Sequence, residues 1–248
     1  MDQTQLSALV TKLVDAYRKP GTLIPTDGFE ALTAQEAMAV QAGVLNALDE
    51  TTPVSKVGKD GNGRGIVAPI LGSRVVKGGE TLSLPLAGFA GIEVEVAVRL
   101  KADITPEIAK AGDDAIAQCV EAYVLGIELV GSRFADRTKA GAYGPLADNM
   151  TGAGYAVGEA WPSAEIEGTP IVIDLDGVVI FSGPAKHPFG GVYPAIRNYA
   201  QDQFDLFGAL KAGMVVTTGT LCGLLPISGP GTLTAKVGDS HQISLVLV

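Results

Sequence analysis

The chain has 248 residues, 47% hydrophobic and 18% charged, which excludes an intrinsically disordered protein and allows one large core or two small ones. Its 18 basic and 27 acidic side chains give a formal net charge of −9 with no Lys/Arg cluster, so no nucleic-acid partner is expected. The 32 glycines, close to twice the usual ~7% share, favour turns and short strands over a helical bundle.

The first residues lack a basic region followed by an apolar core, and no apolar run approaches the ~18 residues of a membrane span. A cytoplasmic protein with no membrane partner is therefore expected. Cys119 and Cys222 stand apart in apolar settings and make neither a disulfide framework nor a metal knuckle. Leu6, Leu9, Val10, Leu13, Val14 and Tyr17 form one apolar stripe at helical spacing, ended by Lys19-Pro20-Gly21. Thr33-Ala34-Gln35-Glu36 is a capping-box pattern that opens a second helix through Ala37, Val40, Val44, Leu45 and Leu48. Thr51-Thr52-Pro53 then reads as a joint, so residues 1–53 are expected to form a small helical N-terminal part.

From Val54 onward, short β-branched runs alternate with Gly, Pro and Asp. Strands are predicted at Ile92–Leu100, Val124–Val130, Tyr155–Val157, Pro170–Leu175, Val178–Phe181, Met214–Thr218, Thr232–Val237 and Gln242–Val248. Asp174-Leu175-Asp176-Gly177 supplies a hairpin turn. Helical patterns interrupt at about 105–122, opened by Thr105-Pro106-Glu107, and at about 194–211. The fold class is α+β, with residues 54–248 forming a β-rich body of mixed sheets.

In the segment Gly91–Leu100, alternation places Ile92, Val94, Val96 and Val98 on one face and Glu93, Glu95 and Ala97 on the other. Two carboxylates about 7 Å apart along one strand repel, so the face is either open to water or shared with a hard divalent cation. A third acid, Glu128, sits inside the apolar run Ala122–Val130, where an unpaired charge is expensive to bury. It either pairs with nearby Arg133 or joins the first two as an oxygen ligand for Mg²⁺ or Mn²⁺, leaving positions for water and a chelating substrate.

These residues resemble the fumarylacetoacetate-hydrolase superfamily, in its branch of 2-hydroxypenta-2,4-dienoate hydratases and 4-oxalocrotonate decarboxylases. The likeness spans roughly residues 30 to 248. It rests on Ser55-Lys56-Val57-Gly58, Ile92-Glu93-Val94-Glu95-Val96-Ala97, Glu128-Leu129-Val130-Gly131-Ser132-Arg133, Ala147-Asp148-Asn149 and Thr218-Gly219. The resemblance implies a body like the C-terminal part of fumarylacetoacetase and Glu93, Glu95 and Glu128 as ligands of Mg²⁺ or Mn²⁺. It implies Lys56 as the group that holds a substrate carboxylate or stabilises an enolate, and Asp148 as a candidate for proton transfer. Arg133, Asn149 and Thr218 are its expected substrate contacts. Without the resemblance, Lys56 reads as a surface lysine beside a turn, Asp148-Asn149 as an Asx-turn, and Arg133 as a partner of Asp136.

Two departures bear on the reaction. Where hydratases of this branch carry an acid after the lysine motif, this chain has Ile66–Ile70 with Pro69. The family's G-H-P stands replaced by Gly190-Gly191-Val192, with His187 a few positions earlier. His187 and His241 both lie late in the chain, which disfavours the superfamily's hydrolytic route. The implied activity is a metal-dependent hydratase that adds water to a small 2-hydroxydienoic or 2-oxo-4-enoic acid, giving a 4-hydroxy-2-oxo acid. The alternatives are a 4-oxalocrotonate-type decarboxylase and a catalytically idle subunit that binds metal and an oxo acid. A homo-oligomer, associated in some settings with a pathway partner enzyme, is expected.

Overall fold

A computed structural model describes residues 1–84, 87–161, 163–239 and 241–248. The chain opens with α1 (Gln3–Arg18) and α2 (Ala34–Leu48), continues through β1 (Val54–Lys59), β2 (Gly65–Ile70), β3 (Val75–Lys77), β4 (Thr81–Leu82) and β5 (Phe89–Leu100), and then forms α3 (Pro106–Ala111) and α4 (Asp113–Gln118). The remainder is β6 (Val120–Gly131), α5 (Gly144–Ala147), β7 (Gly152–Trp161), β8 (Pro170–Leu175), β9 (Val178–Pro184), α6 (Tyr193–Ala200), β10 (Val215–Thr220), β11 (Gly231–Val237) and β12 (His241–Leu247). Mixed sheets dominate, as expected.

Both N-terminal helices carry a reciprocal cap. Thr33 and Glu36 satisfy each other's backbone N–H at α2, and Asp2 and Gln5 do the same at α1. Leu9, Leu13 and Val14 of α1 pack with Ala37, Val40 and Val44 of α2, and this cluster extends to Phe134, Leu146 and Ala147. The predicted helix over 105–122 is two short helices. Gly112 between them has φ +104°, a backbone that ends α3 before α4 begins. The predicted helix over 194–211 stops at Ala200. Beyond it Gln203 is left-handed at φ +41°, and the Asp205 carboxylate accepts from the backbone N–H groups of Gly208 and Ala209.

Among the described residues the strands form a seven-stranded sheet, β2-β1-β10-β5-β6-β7-β3, and a five-stranded sheet, β4-β12-β11-β8-β9. The β8–β9 hairpin turns at Asp176 and Gly177, φ +51° and +79°, the two positive values a twisted two-residue turn needs. Ile92, Val94, Val96 and Val98 of β5 are fully buried and belong to the large core shared with Ile171, Leu233, Ala235 and Leu245 of the smaller sheet. The opposite face of β5 therefore carries Glu93, Glu95 and Ala97, and it is here that the polar residues gather.

Candidate metal centre

Pairing of the long strands β5 and β6 brings the three acids together. Glu93 is the cross-strand partner of Glu128 in this antiparallel ladder, and Glu95 lies two residues along the same face. Each of the three offers a carboxylate oxygen within 4.8 Å of the others. Glu95 is 2% exposed and Glu128 fully buried. At such separations two ionised carboxylates repel by about 3 kcal/mol, taking an effective dielectric of 20.

Burial is the main reason all three carboxyls sit above the ordinary range. Glu128 is pushed up to about 7, with Lys56 pulling it back and Glu93 adding to the rise. Glu95 is raised well above its usual value by burial and then by Glu128 and Glu93, and Glu93 is raised by burial against the opposing pull of Lys56. The Glu128 Oε2 atom is buried with no hydrogen-bond partner. Three hard oxygen donors, one of them orphaned and all resisting ionisation until a positive charge arrives, fit a divalent cation such as Mg²⁺ or Mn²⁺.

Lys56 is 8% exposed, so it is not a surface lysine. Its Nζ ion-pairs with Glu128 Oε1 and donates to the Met150 carbonyl at 3.0 Å. Burial acts to lower its pKa, but Glu128, Glu95 and Glu93 outweigh that and raise it, so the ammonium form persists. Lys56 on β1 pairs in register with Thr217 on β10, which places both beside the acids.

Thr217, the neighbour of the expected Thr218, donates its hydroxyl to Glu95 Oε2 and accepts from the Tyr155 hydroxyl at 3.2 Å. Tyr155 lies on β7 opposite Glu128. Gly126 gives it room, since a Cβ there would overlap the Tyr155 ring and hydroxyl. Thr218 was the expected substrate contact, but its hydroxyl turns to the other side of β10. There it donates to the Val96 carbonyl at 2.9 Å and meets His187 Nε2 at 3.1 Å. His187 Nδ1 accepts from the Phe189 N–H at 3.2 Å, so the neutral ring carries its proton on Nε2. Burial holds the His187 pKa down to about 4.

Lys56, Glu93, Glu95, Met150, Phe189 and Thr217 line a common cavity of about 210 Å³. Arg133, Asp148 and Asn149 do not reach it. The Arg133 guanidinium ion-pairs with Asp148, rather than with Glu128 or Asp136, and Asp136 instead pairs with Lys139. The Asp148 carboxylate is fully buried and also accepts from the Ser132 hydroxyl and the Arg133 N–H, at 2.9 and 3.0 Å. Asn149 Nδ2 donates to the Tyr17 hydroxyl at 2.9 Å. Pro69, in the Ile66–Ile70 stretch that the resemblance sets against the branch's acid, is buried in β2 opposite Ser55. The Lys59–Gly63 loop is an Asx-turn in which Asp60 Oδ1 accepts from the Asn62 and Arg64 N–H groups, both at 2.9 Å.

A mixed-sheet α+β fold carries three clustered carboxylates that fit a divalent cation, two of them lining one cavity with a buried lysine that pairs with the third. Residues 70–246 match the family model described as fumarylacetoacetate (FAA) hydrolase C-terminal, and the chain belongs to that family. No curated protein matches the chain. Among solved structures, it is similar to 4-oxalocrotonate decarboxylase from Pseudomonas putida G7 complexed with magnesium and adipate, with TM-score 0.82 and 17% identity over 100% of this chain and 99% of that one. The same enzyme complexed with calcium and acetate gives TM-score 0.80 at 17% identity, with the same coverage. It is also similar to 2-hydroxyhepta-2,4-diene-1,7-dioate isomerase from Mycobacterium marinum, with TM-score 0.57 and 16% identity over 80% of this chain and 75% of that one. Among the described residues, no helix is long and apolar enough to cross a membrane.

Proposed function

We propose that the protein is a divalent-metal-dependent lyase that generates a dienolate from a small 2-oxo or 2-hydroxydienoic acid. The observation that carries this reading is the clustering of Glu93, Glu95 and Glu128, with Lys56 paired to Glu128, at a cavity lined by Lys56, Glu93 and Glu95. A cation held by the three carboxylates would supply Lewis acidity to the substrate's 1-carboxylate and 2-oxygen.

The chain's own residues supply the rest. The Lys56 ammonium offsets the negative charge that develops on the 2-oxygen and is placed to return a proton to the dienolate. Thr217 and Tyr155 fix the Glu95 carboxylate, and Phe189 and Met150 add apolar lining to the cavity.

Decarboxylation is the form of this chemistry that the site supports best. Loss of CO₂ from a vinylogous carboxylate breaks one C–C bond, sends its electron pair into the dienolate and takes up one proton, so it needs an acid and an electron sink but no base for water. Among the described residues, Asp148 is consumed by Arg133 and His187 by Thr218 and Phe189, and the Ile66–Ile70 stretch, which the resemblance sets against the branch's acid, contains none. Hydration, the reading implied by the sequence resemblance, is the second form, and Glu93, the most exposed of the three acids, would have to serve it. Purified protein with Mg²⁺ and a panel of 2-hydroxydienoates and 2-oxo-3-enedioates separates the two. CO₂ release supports decarboxylation, loss of dienol absorbance without CO₂ supports hydration, and no turnover with retained metal binding supports the idle subunit.

A further inference from the structure

Asn149, Met150 and Thr151 are three consecutive non-glycine residues with φ of +51°, +49° and +59°. Cβ sterics disfavour a left-handed backbone at each, so such a turn persists only where its surroundings hold it. Arg133 spans it. One terminal nitrogen donates to the Gly152 carbonyl at 2.9 Å and the other to the Asp148 carbonyl at 2.6 Å, on either side of the three residues. The Asp148 carboxylate fixes the guanidinium in that pose.

A second hold comes from the N-terminal helix. The Tyr17 hydroxyl accepts from Asn149 Nδ2, and its ring lies 4.8 Å from the Arg133 guanidinium. What the turn presents is the Met150 carbonyl, which accepts from Lys56 Nζ at 3.0 Å. Gly152 ends the turn, and a Cβ there would lie 3.2 Å from the Asn149 carbonyl oxygen, tighter than most Cβ contacts.

We propose that Tyr17, Arg133 and Asp148 clamp the strained Asn149–Thr151 turn, and that this clamp holds the Lys56 ammonium in the acidic cavity. Tyr17 and Arg133 are thus positioning residues for Lys56. Two motifs that the family resemblance placed at the substrate act instead from behind the cavity wall. The kinetic consequence rests on the proposed function, because it requires Lys56 to act on substrate; the structural consequence does not.

The test is acetylation of lysines in the metal-free protein, read by peptide mass spectrometry, with exposed Lys236 as internal reference. Tyr17→Phe removes the acceptor for Asn149 and keeps the ring. It should raise Lys56 labelling about tenfold relative to Lys236, as the released turn withdraws the Met150 carbonyl. Adding Thr151→Gly, which removes one Cβ penalty, should bring labelling back towards wild type; a cluster that merely stabilises the fold would give no such rescue. Unchanged Lys56 labelling in Tyr17→Phe, or a rise that Thr151→Gly fails to reverse, would overturn the clamp. Labelling needs neither metal nor substrate, so absence of turnover on every 2-oxo acid would sink the proposed function and leave this result standing. Where turnover is seen, Tyr17→Phe should lower kcat with little change in KM.

Discussion

Glu93 and Glu128 face one another directly across the β5–β6 ladder, a like-charge cross-strand pair inside the protein. Their carboxyls, with that of Glu95, lie above the ordinary range because burial penalises the charged form. The folded chain therefore keeps protons that the unfolded chain has already released. In metal-free protein, stability should fall as pH rises from about 4.5, the unperturbed value, through about 7, the Glu128 value. Saturating Mg²⁺ should abolish that fall. Thermal midpoints across pH 5 to 8 with EDTA and with Mg²⁺ check this, and a metal-free midpoint that rises with pH would contradict it.

Lys56 is the one cation that ion-pairs with the acidic trio among the described residues. Lys56→Met should abolish turnover and leave Mn²⁺ affinity undiminished, because it removes a positive charge next to the ligands without touching them. It should also lower metal-free stability at pH 8, where Glu128 loses its counter-ion; removing one partner of a buried pair costs about 3 kcal/mol or less where the acid takes up a proton instead. Calorimetry and thermal melts of the variant measure both effects.

Tyr155 supports Glu95 through Thr217 from a fully buried position. Tyr155→Phe keeps the ring and deletes one donor, so the fold should hold while Mn²⁺ affinity falls about tenfold, as for other partners of metal ligands. Gly126→Ala should be much more damaging, because its Cβ and the Tyr155 hydroxyl cannot coexist. Unchanged affinity in Tyr155→Phe would remove this relay from the site.

His187 should behave as a fixed neutral ring. Nitrogen NMR of the imidazole should show the Nε2–H tautomer from pH 5 to 8, given a pKa held down to about 4 by burial. A titration midpoint near 6.5 would show that the ring is open to water.

Much of this site is legible in the primary structure, and the rest fails for identifiable reasons. The alternation of Glu93 and Glu95 against Ile92, Val94 and Val96 fixes which face of β5 is polar, and a lone acid in the apolar run around Glu128 marks its partner strand. The resemblance points to the Thr218-Gly219 segment without fixing which face of β10 carries the acids, and the β10–β5 register shifts between Thr217 and Thr220, so Thr217 is evident only in the folded chain. Arg133 and Asp148 are 15 residues apart, and only the folded chain shows that they consume each other. The role of Tyr17 was hidden because its place in the α1 apolar stripe already explained it. Helix periodicity overran at Gly112 and beyond Ala200, where backbone geometry and a carboxylate cap ended what hydrophobic spacing would have continued.

On the proposed function, Glu93, Glu95 and Glu128 together hold one divalent cation. Titration of metal-free protein with Mn²⁺ by calorimetry, in wild type and Glu95→Gln, tests it most directly. One site per chain in the wild type, with affinity at least about a hundredfold weaker in the variant and an unchanged far-ultraviolet dichroism spectrum, is the predicted result. Equal Mn²⁺ binding by the two proteins, or none by the wild type, would contradict it.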